Sequence, residues 1–143
     1  METVYQTPFV KIFYDETVPV IYEEWFGQVS GKEFRKALEE KLMAYEKLSK
    51  NHAKLFWLND VRKLRGVPSG DQQWAVEEFH PRLHPVGVHK VAFVVPEQTY
   101  FQLSDEDITG KLDSRKQVEI CYFDDFESAF AWFKEGVEEP QID

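Results

Sequence analysis

The chain is poor in cysteine. Cys121 stands alone among 143 residues and has no partner for an internal disulfide, so the expected location is a reducing, cytoplasmic one. Long apolar runs are missing as well. The longest, Val91 to Val95 and Ala129 to Phe133, have five residues each, against about 20 for a membrane-spanning helix. No membrane span is expected. The opening METVYQTPFV has neither a basic start nor an apolar stretch, so no secretory signal is expected. Glycine and proline are scarce, 7 of each, which excludes collagen-like and low-complexity classes. Bases are outnumbered, 17 to 26, for a net charge of −9. Such a chain repels phosphate backbones and is not expected to bind nucleic acid. No G-x-G-x-x-G, G-x-x-x-x-G-K-[ST], G-x-S-x-G or H-E-x-x-H occurs. The usual nucleotide-binding, serine-hydrolase and zinc-protease readings therefore lose their support, and no cofactor or metal is expected.

What is present is material for a bulky core: 43% hydrophobic residues, with 12 Phe, 6 Tyr and 4 Trp. A chain of this length buries about 68–70% of its unfolded surface. That suits one domain over residues 1–143, with 137–143 a frayed acidic tail. The runs FVKIFY (9–14) and VPVIYEEWF (18–26), parted by Asp15-Glu16-Thr17, predict an antiparallel hairpin. Pro19 marks an edge or the start of its strand. Ser30-Gly31-Lys32-Glu33 fits a capping box. Phe34, Leu38, Leu42, Tyr45 and Leu48 then recur on one helix face that ends near Lys50-Asn51. Leu55 to Leu58 predicts a central strand covered on both faces. Ser69-Gly70-Asp71-Gln72 opens a helix burying Trp74, Ala75, Phe79 and Leu83, which Pro81 kinks or ends. Val91 to Val95 and Val118 to Phe123 are further strands. Ser104 and Asp107 suggest a short helix between them. Asp125 caps a last helix bearing Phe126, Ala129, Phe130 and Phe133, with Gly136 as its stop. The order β-β-α-β-α-β-α-β-α predicts a single five-stranded sheet, mixed but mostly parallel, with about four helices and an antiparallel first strand at its edge.

Three stretches carry a family resemblance: LFWLNDVR (55–62), SGDQQWAVEEFHPRLHPVGVHKVAFVVP (69–96) and FDDFESAFAWF (123–133). They give a strand ending in Asp, a Trp-bearing helix broken by Pro, a strand stopped by Pro, and an Asp-capped aromatic last helix. This layout resembles the SpoIIAA-like family, related to STAS domains and compared with SEC14-type lipid-binding folds. The resemblance implies a small cytoplasmic α/β domain, often of unknown function, used in interaction or regulation, and a non-enzymatic role is the leading expectation. It also implies an alternative: a SEC14-like domain that binds a small molecule, a lipid or an anion. In the wider STAS group a Ser at the start of the second helix is phosphorylated, which makes Ser69 the candidate. Here the segment Val61 to Pro68 separates the strand-end Asp60 from Ser69, a departure from that pattern.

The residues between Asp60 and Trp74 form the candidate site. Ligands of open α/β sheets bind beyond the carboxyl ends of strands, and helix starts attract anions. Residues 50–90 hold seven Lys or Arg against four acids, within a chain that is acidic throughout the rest. The expected surface for an anion or partner is Asp60, Arg62, Arg65, Ser69, Gly70, Asp71 and Trp74. The plainer alternative makes Ser69 only an N-cap and the bases solvated loop charges. An amphiphile would set its anionic head near Arg62 and Arg65 and its tail among Trp25, Phe26 and Trp74; a roomy apolar pocket beside the loop favours this. His80 and His84, four apart, resemble zinc ligands, but Pro81 and Pro85 interrupt the helix that would align them. Asp60 with Asp71 is an imaginable acid–base pair. Glu23-Glu24 and Asp124-Asp125 read as solvated faces or caps. Were helices to cover one sheet face only, the other would expose an aromatic patch and favour a homodimer.

Overall fold

The computed structural model describes residues 1–103, 112–113 and 118–138. Its strands are β1 (Glu2–Thr7), β2 (Val10–Asp15), β3 (Val20–Trp25), β4 (Gly27–Gln28), β5 (Phe56–Asp60), β6 (Leu64–Gly66), β7 (Lys90–Val94), β8 (Leu112–Asp113) and β9 (Val118–Phe123). Its helices are α1 (Gly31–Leu48), α2 (Ser69–Trp74), α3 (Glu97–Gln102) and α4 (Phe126–Glu138). The main sheet runs β1-β2-β3-β5-β7-β9-β8. Its four central strands β3, β5, β7 and β9 are mutually parallel. The flanking pairs are antiparallel.

The expected mixed, mostly parallel sheet is therefore present, with seven strands where five were expected. The two additions are its edges. β1 is largely exposed and β8 is two residues long, so neither carries the apolar alternation that marks a half-buried strand. β1, not the FVKIFY strand, is the antiparallel edge. Pro19 directly precedes β3, an interior strand, which settles its alternative in favour of the strand start.

Helices cover both sheet faces. Trp25, Ala37, Leu38, Leu42, Tyr45, Trp57 and Phe79 pack together on the side of α1 and α2. Val20, Tyr22, Phe56, Leu58, Val94, Ala129 and Phe133 pack on the side of α4. The open aromatic face on which the dimer argument depended is absent among the described residues. Strand alternation sorts the side chains: in β5, Trp57 goes to one core, Phe56 and Leu58 to the other.

The helix starts follow their caps unevenly. The Ser30 side chain accepts a hydrogen bond from the Glu33 amide at 3.3 Å, and Asp125 accepts one from the Ser128 amide at 2.7 Å. Ser69 is not a cap. Pro68 occupies that place, its carbonyl receiving the amides of Asp71 and Gln72, and Ser69 is the first helical residue. Past Trp74 the helix widens into a π turn over Ala75–Phe79, then tightens into 3-10 turns at His80–Arg82 and His84–Val86, as the prolines require. Gly136 does not stop α4, which runs on to Glu138. The Lys90 side chain lies against it, 2.8 Å from where a Cβ would be, and its carbonyl accepts a hydrogen bond from Lys54 Nζ at 2.6 Å. Residues 139–143 and the Ser104–Asp107 cap lie outside the described residues.

The second core rests on α4. Phe133 is fully buried and stacks on Phe56 with ring centroids 4.7 Å apart. Phe133→Ala is expected to destabilise the fold by about 3–5 kcal/mol, read from urea unfolding. A loss below about 1 kcal/mol would show that α4 does not seal this face.

Candidate functional site

The first core contains a charge. α1 presents Lys41 to the sheet between Leu38 and Tyr45, and its side chain is wholly buried. Nζ donates to the Glu23 carboxylate, to the Leu58 carbonyl at 2.7 Å and to Asn59 Oδ1 at 3.2 Å. It also lies 4.0 Å from the centre of the Trp57 ring. Three acceptors consume three protons, so the group is an ammonium ion. Glu23 is 1% exposed and also accepts from Trp25 Nε1 at 3.1 Å. Asn59 Oδ1 accepts from Trp57 Nε1 at 3.1 Å as well. Burial pushes the Glu23 carboxyl up and the Lys41 amine down to about 8, while their mutual attraction opposes both shifts.

Beside this network lies a cavity of about 430 Å³. It opens at the carboxyl ends of β3, β5, β7 and β9, lined by Trp25, Asn59, Phe93 and Tyr122 from the strands and by Phe34 and Leu38 of α1. Glu23 lies on its floor and Val76, half exposed, on its rim. One further wall is the segment Val61–Val67, and another is Gln72, Ala75 and His80 from α2 and the turns after it. The Val61–Val67 segment is not the plain loop expected: β6 pairs in parallel with β4. Gly27 donates to the Lys63 carbonyl and Val29 to the Gly66 carbonyl, each at 2.9 Å. Gly27 turns the chain out of β3 at φ 71°, a conformation that favours glycine. The small ladder holds Arg65 at the cavity wall.

The candidate site residues divide among three places. Arg65 lines the cavity, and with Arg62, Lys63 and Phe26 it also lines a second, open hollow of about 520 Å³. Asp60 is buried and receives Arg62 in a fork, Nε to Oδ1 at 3.1 Å and Nη2 to Oδ2 at 3.0 Å, with the guanidinium 5.0 Å from the Phe126 ring. Asp60 and Arg62 thus belong to the α4 side. Asp71 pairs with Arg35 of α1 at 2.7 Å, and Arg35 also covers Trp74 at 4.8 Å. Asp71 and Trp74 thus join α2 to α1, and Trp74 and Phe26 do not line the cavity. Ser69 and Gly70 are exposed. Asp60 and Asp71, each paired with its own arginine, are not brought together as an acid–base pair. His84 and His89 have ring centroids 5.7 Å apart. Among the described residues no group of three or more His, Cys, Asp or Glu is placed to hold a metal ion.

Glu23, Lys41 and Asn59 are not among the residues expected at the site, and Glu23 is a buried core carboxylate, not part of a solvated face. A signal existed. Lys41 sits three residues after Leu38 and four before Tyr45, on the apolar stripe. Glu23 and Asn59 each continue a strand alternation, Ile21-Glu23-Trp25 and Leu55-Trp57-Asn59.

A mixed α/β sheet with an apolar cleft at the carboxyl ends of its parallel strands is the class of protein defined here. A family model described as SpoIIAA-like matches residues 20–134, most of the chain, and the protein belongs to that family. A crystal structure of an uncharacterized protein of the DUF3478 family with a SpoIIAA-like fold, from Shewanella loihica PV-4, shares the architecture. It superposes with a TM-score of 0.52 at 14% identity, over 87% of this chain and 91% of that one. No curated protein matches the chain. No helix among the described residues is long and apolar enough to cross a membrane.

Lys41→Met is expected to cost about 3–5 kcal/mol because it strands a buried carboxylate, and adding Glu23→Leu is expected to recover most of that loss. Chemical denaturation of both variants checks this, and a double variant no more stable than the single one counts against it. The pH dependence has a definite sign. Lys41 titrates at about 8 when folded, against 10.5 as the ordinary value. Between those values the unfolded chain holds the proton the folded chain has released, so the lysine contributes increasing stability as pH rises. Wild type should gain on Lys41→Met across that window, and a constant difference would exclude the assignment.

Proposed function

We propose that this SpoIIAA-like domain binds a small amphiphilic anion and presents its occupancy to a partner protein. The observation that supports this reading is the cavity of about 430 Å³ beside the Leu64–Gly66 strand, apolar over most of its lining and carrying Arg65. That volume lies in the range of small-molecule pockets, about 300–1,000 Å³. Trp25, Phe34, Leu38, Val61 and Phe93 offer the apolar surface. Arg65 makes no ion pair among the described residues, so its guanidinium is available for a carboxylate or phosphate, which it can grip with two parallel hydrogen bonds.

The regulatory half of the reading concerns the outer side of the same wall. Gln72 lines the cavity while Ser69 and Gly70, in the same turn, are exposed. A ligand that moves this wall changes the surface a partner meets. Ser69, accessible at the helix start, is the residue a kinase would modify. A phosphate there adds about −1.5 to −2 charges beside the basic Arg62–Arg65 segment.

Isothermal titration of the full chain with octanoate, decanoate and octylammonium tests the binding. Either carboxylate is expected to bind and the ammonium not to. Arg65→Glu should weaken carboxylate binding by about tenfold or more. Equal binding of the ammonium, or no binding of either acid, would overturn the proposal.

A further inference from the structure

The floor of the cavity is chemically unlike its walls. Glu23 and Asn59 line it, and they are 1% and 6% exposed. Both side chains are held in place from behind. Glu23 takes hydrogen bonds from Lys41 and from Trp25 Nε1. Asn59 Oδ1 takes them from Lys41 Nζ and Trp57 Nε1. Because that oxygen faces two donors, the orientation of the carboxamide is settled and Nδ2 must point the other way. Nδ2 has no hydrogen-bond partner among the described residues. No fully buried side-chain nitrogen or oxygen among them lacks one, so Nδ2 is open to the space that Asn59 lines. Asn59, His80 and Phe93 also line a neighbouring small cavity, an annex of about 30 Å³. The annex has room for about one water molecule, or for one polar group of a ligand.

The floor thus offers both hydrogen-bonding roles. Asn59 Nδ2 donates. The Glu23 carboxylate, with lone pairs left over, accepts. A hydroxyl can satisfy either group, giving its proton to Glu23 or taking one from Asn59. A carbonyl matches only Asn59, and a methyl group matches neither, leaving both polar groups desolvated and unpaired.

We propose that Asn59 and Glu23 are specificity-determining residues that select an amphiphilic anion carrying a hydroxyl at the end opposite its charge. This rests on the reading of the cavity as an amphiphile site. It names the ligand class as ω-hydroxy carboxylates and their close analogues, with the carboxylate at Arg65 and the hydroxyl on the floor.

Titration of the wild-type chain with ω-hydroxydecanoate, ω-oxodecanoate and decanoate, and with the corresponding octanoates, separates the two ideas. The hydroxy acid of at least one length is expected to bind about tenfold or more tightly than its plain parent, with the oxo acid between them. Asn59→Leu should remove that order and leave the plain acid bound at least as well as the hydroxy acid. The wild-type comparison decides the matter even should the variant fail to fold. Plain and hydroxy acids that bind alike at both lengths would overturn the polar floor while leaving the amphiphile site standing. No binding of any acid would overturn both.

Discussion

An ammonium ion inside an aromatic core needs a full set of acceptors, and much of this structure is arranged around supplying them. Lys41 reaches from α1 to a carboxylate on β3 and to a carbonyl and a side-chain amide on β5. Those acceptors lie on two strands and the lysine on a helix, so the pair is satisfied only when helix and sheet meet in one register. A slip of one strand residue would send Glu23 or Asn59 to the opposite face and strand the charge. Buried pairs of this kind seldom raise net stability above that of a good apolar core. What this one supplies is uniqueness: it admits one docking of α1. Trp25 and Trp57 are tied into the same network through their ring nitrogens, so the two largest rings of that core are held in orientation as well as buried.

The position of this network determines the character of the cleft. It lies near the carboxyl ends of β3 and β5, where the parallel strands stop and the connections to α1 and α2 diverge. Divergence leaves space, as it does in other open α/β sheets. Here the space has polar groups at its base, hydrophobic walls above them, and one guanidinium from a segment pinned by the Gly27–Gln28 and Leu64–Gly66 ladder. A graded environment of that order suits molecules that are themselves amphiphilic. The wall carrying Arg65 leads directly into α2, whose outer face includes Ser69 and Gly70, so events in the cleft and at the surface share one short stretch of chain.

Most of the architecture could be read along the chain. The aromatic and β-branched runs gave β2, β3, β5, β7 and β9, and the capping residues Ser30 and Asp125 marked the starts of α1 and α4. The failures have common causes. β1 and β8 lack an apolar alternation because edges need not bury a face. Ser69 resembled an N-cap, but the carbonyl of Pro68 already received the amides that a cap would satisfy. Gly136 looked like a helix stop, yet α4 continues to Glu138, and the Lys90 side chain lies against the glycine. The residues of 60–74 are distributed over the structure: Arg65 lines the cavity and shares a second hollow with Arg62, Asp60 pairs with Arg62, and Asp71 and Trp74 lie against Arg35.

By itself the sequence determined the class of fold and the order of its main elements, because periodicity, caps and turn residues act over a few positions and leave a local imprint. Only the tertiary structure decided that Glu23, Lys41 and Asn59 converge and that a cavity lies beside them. Those residues come from β3, α1 and β5, and a charge becomes a buried partner or a solvated one according to what packs over it. Nothing within a few residues of Lys41 names Glu23 as its counter-ion; the pairing of strands does.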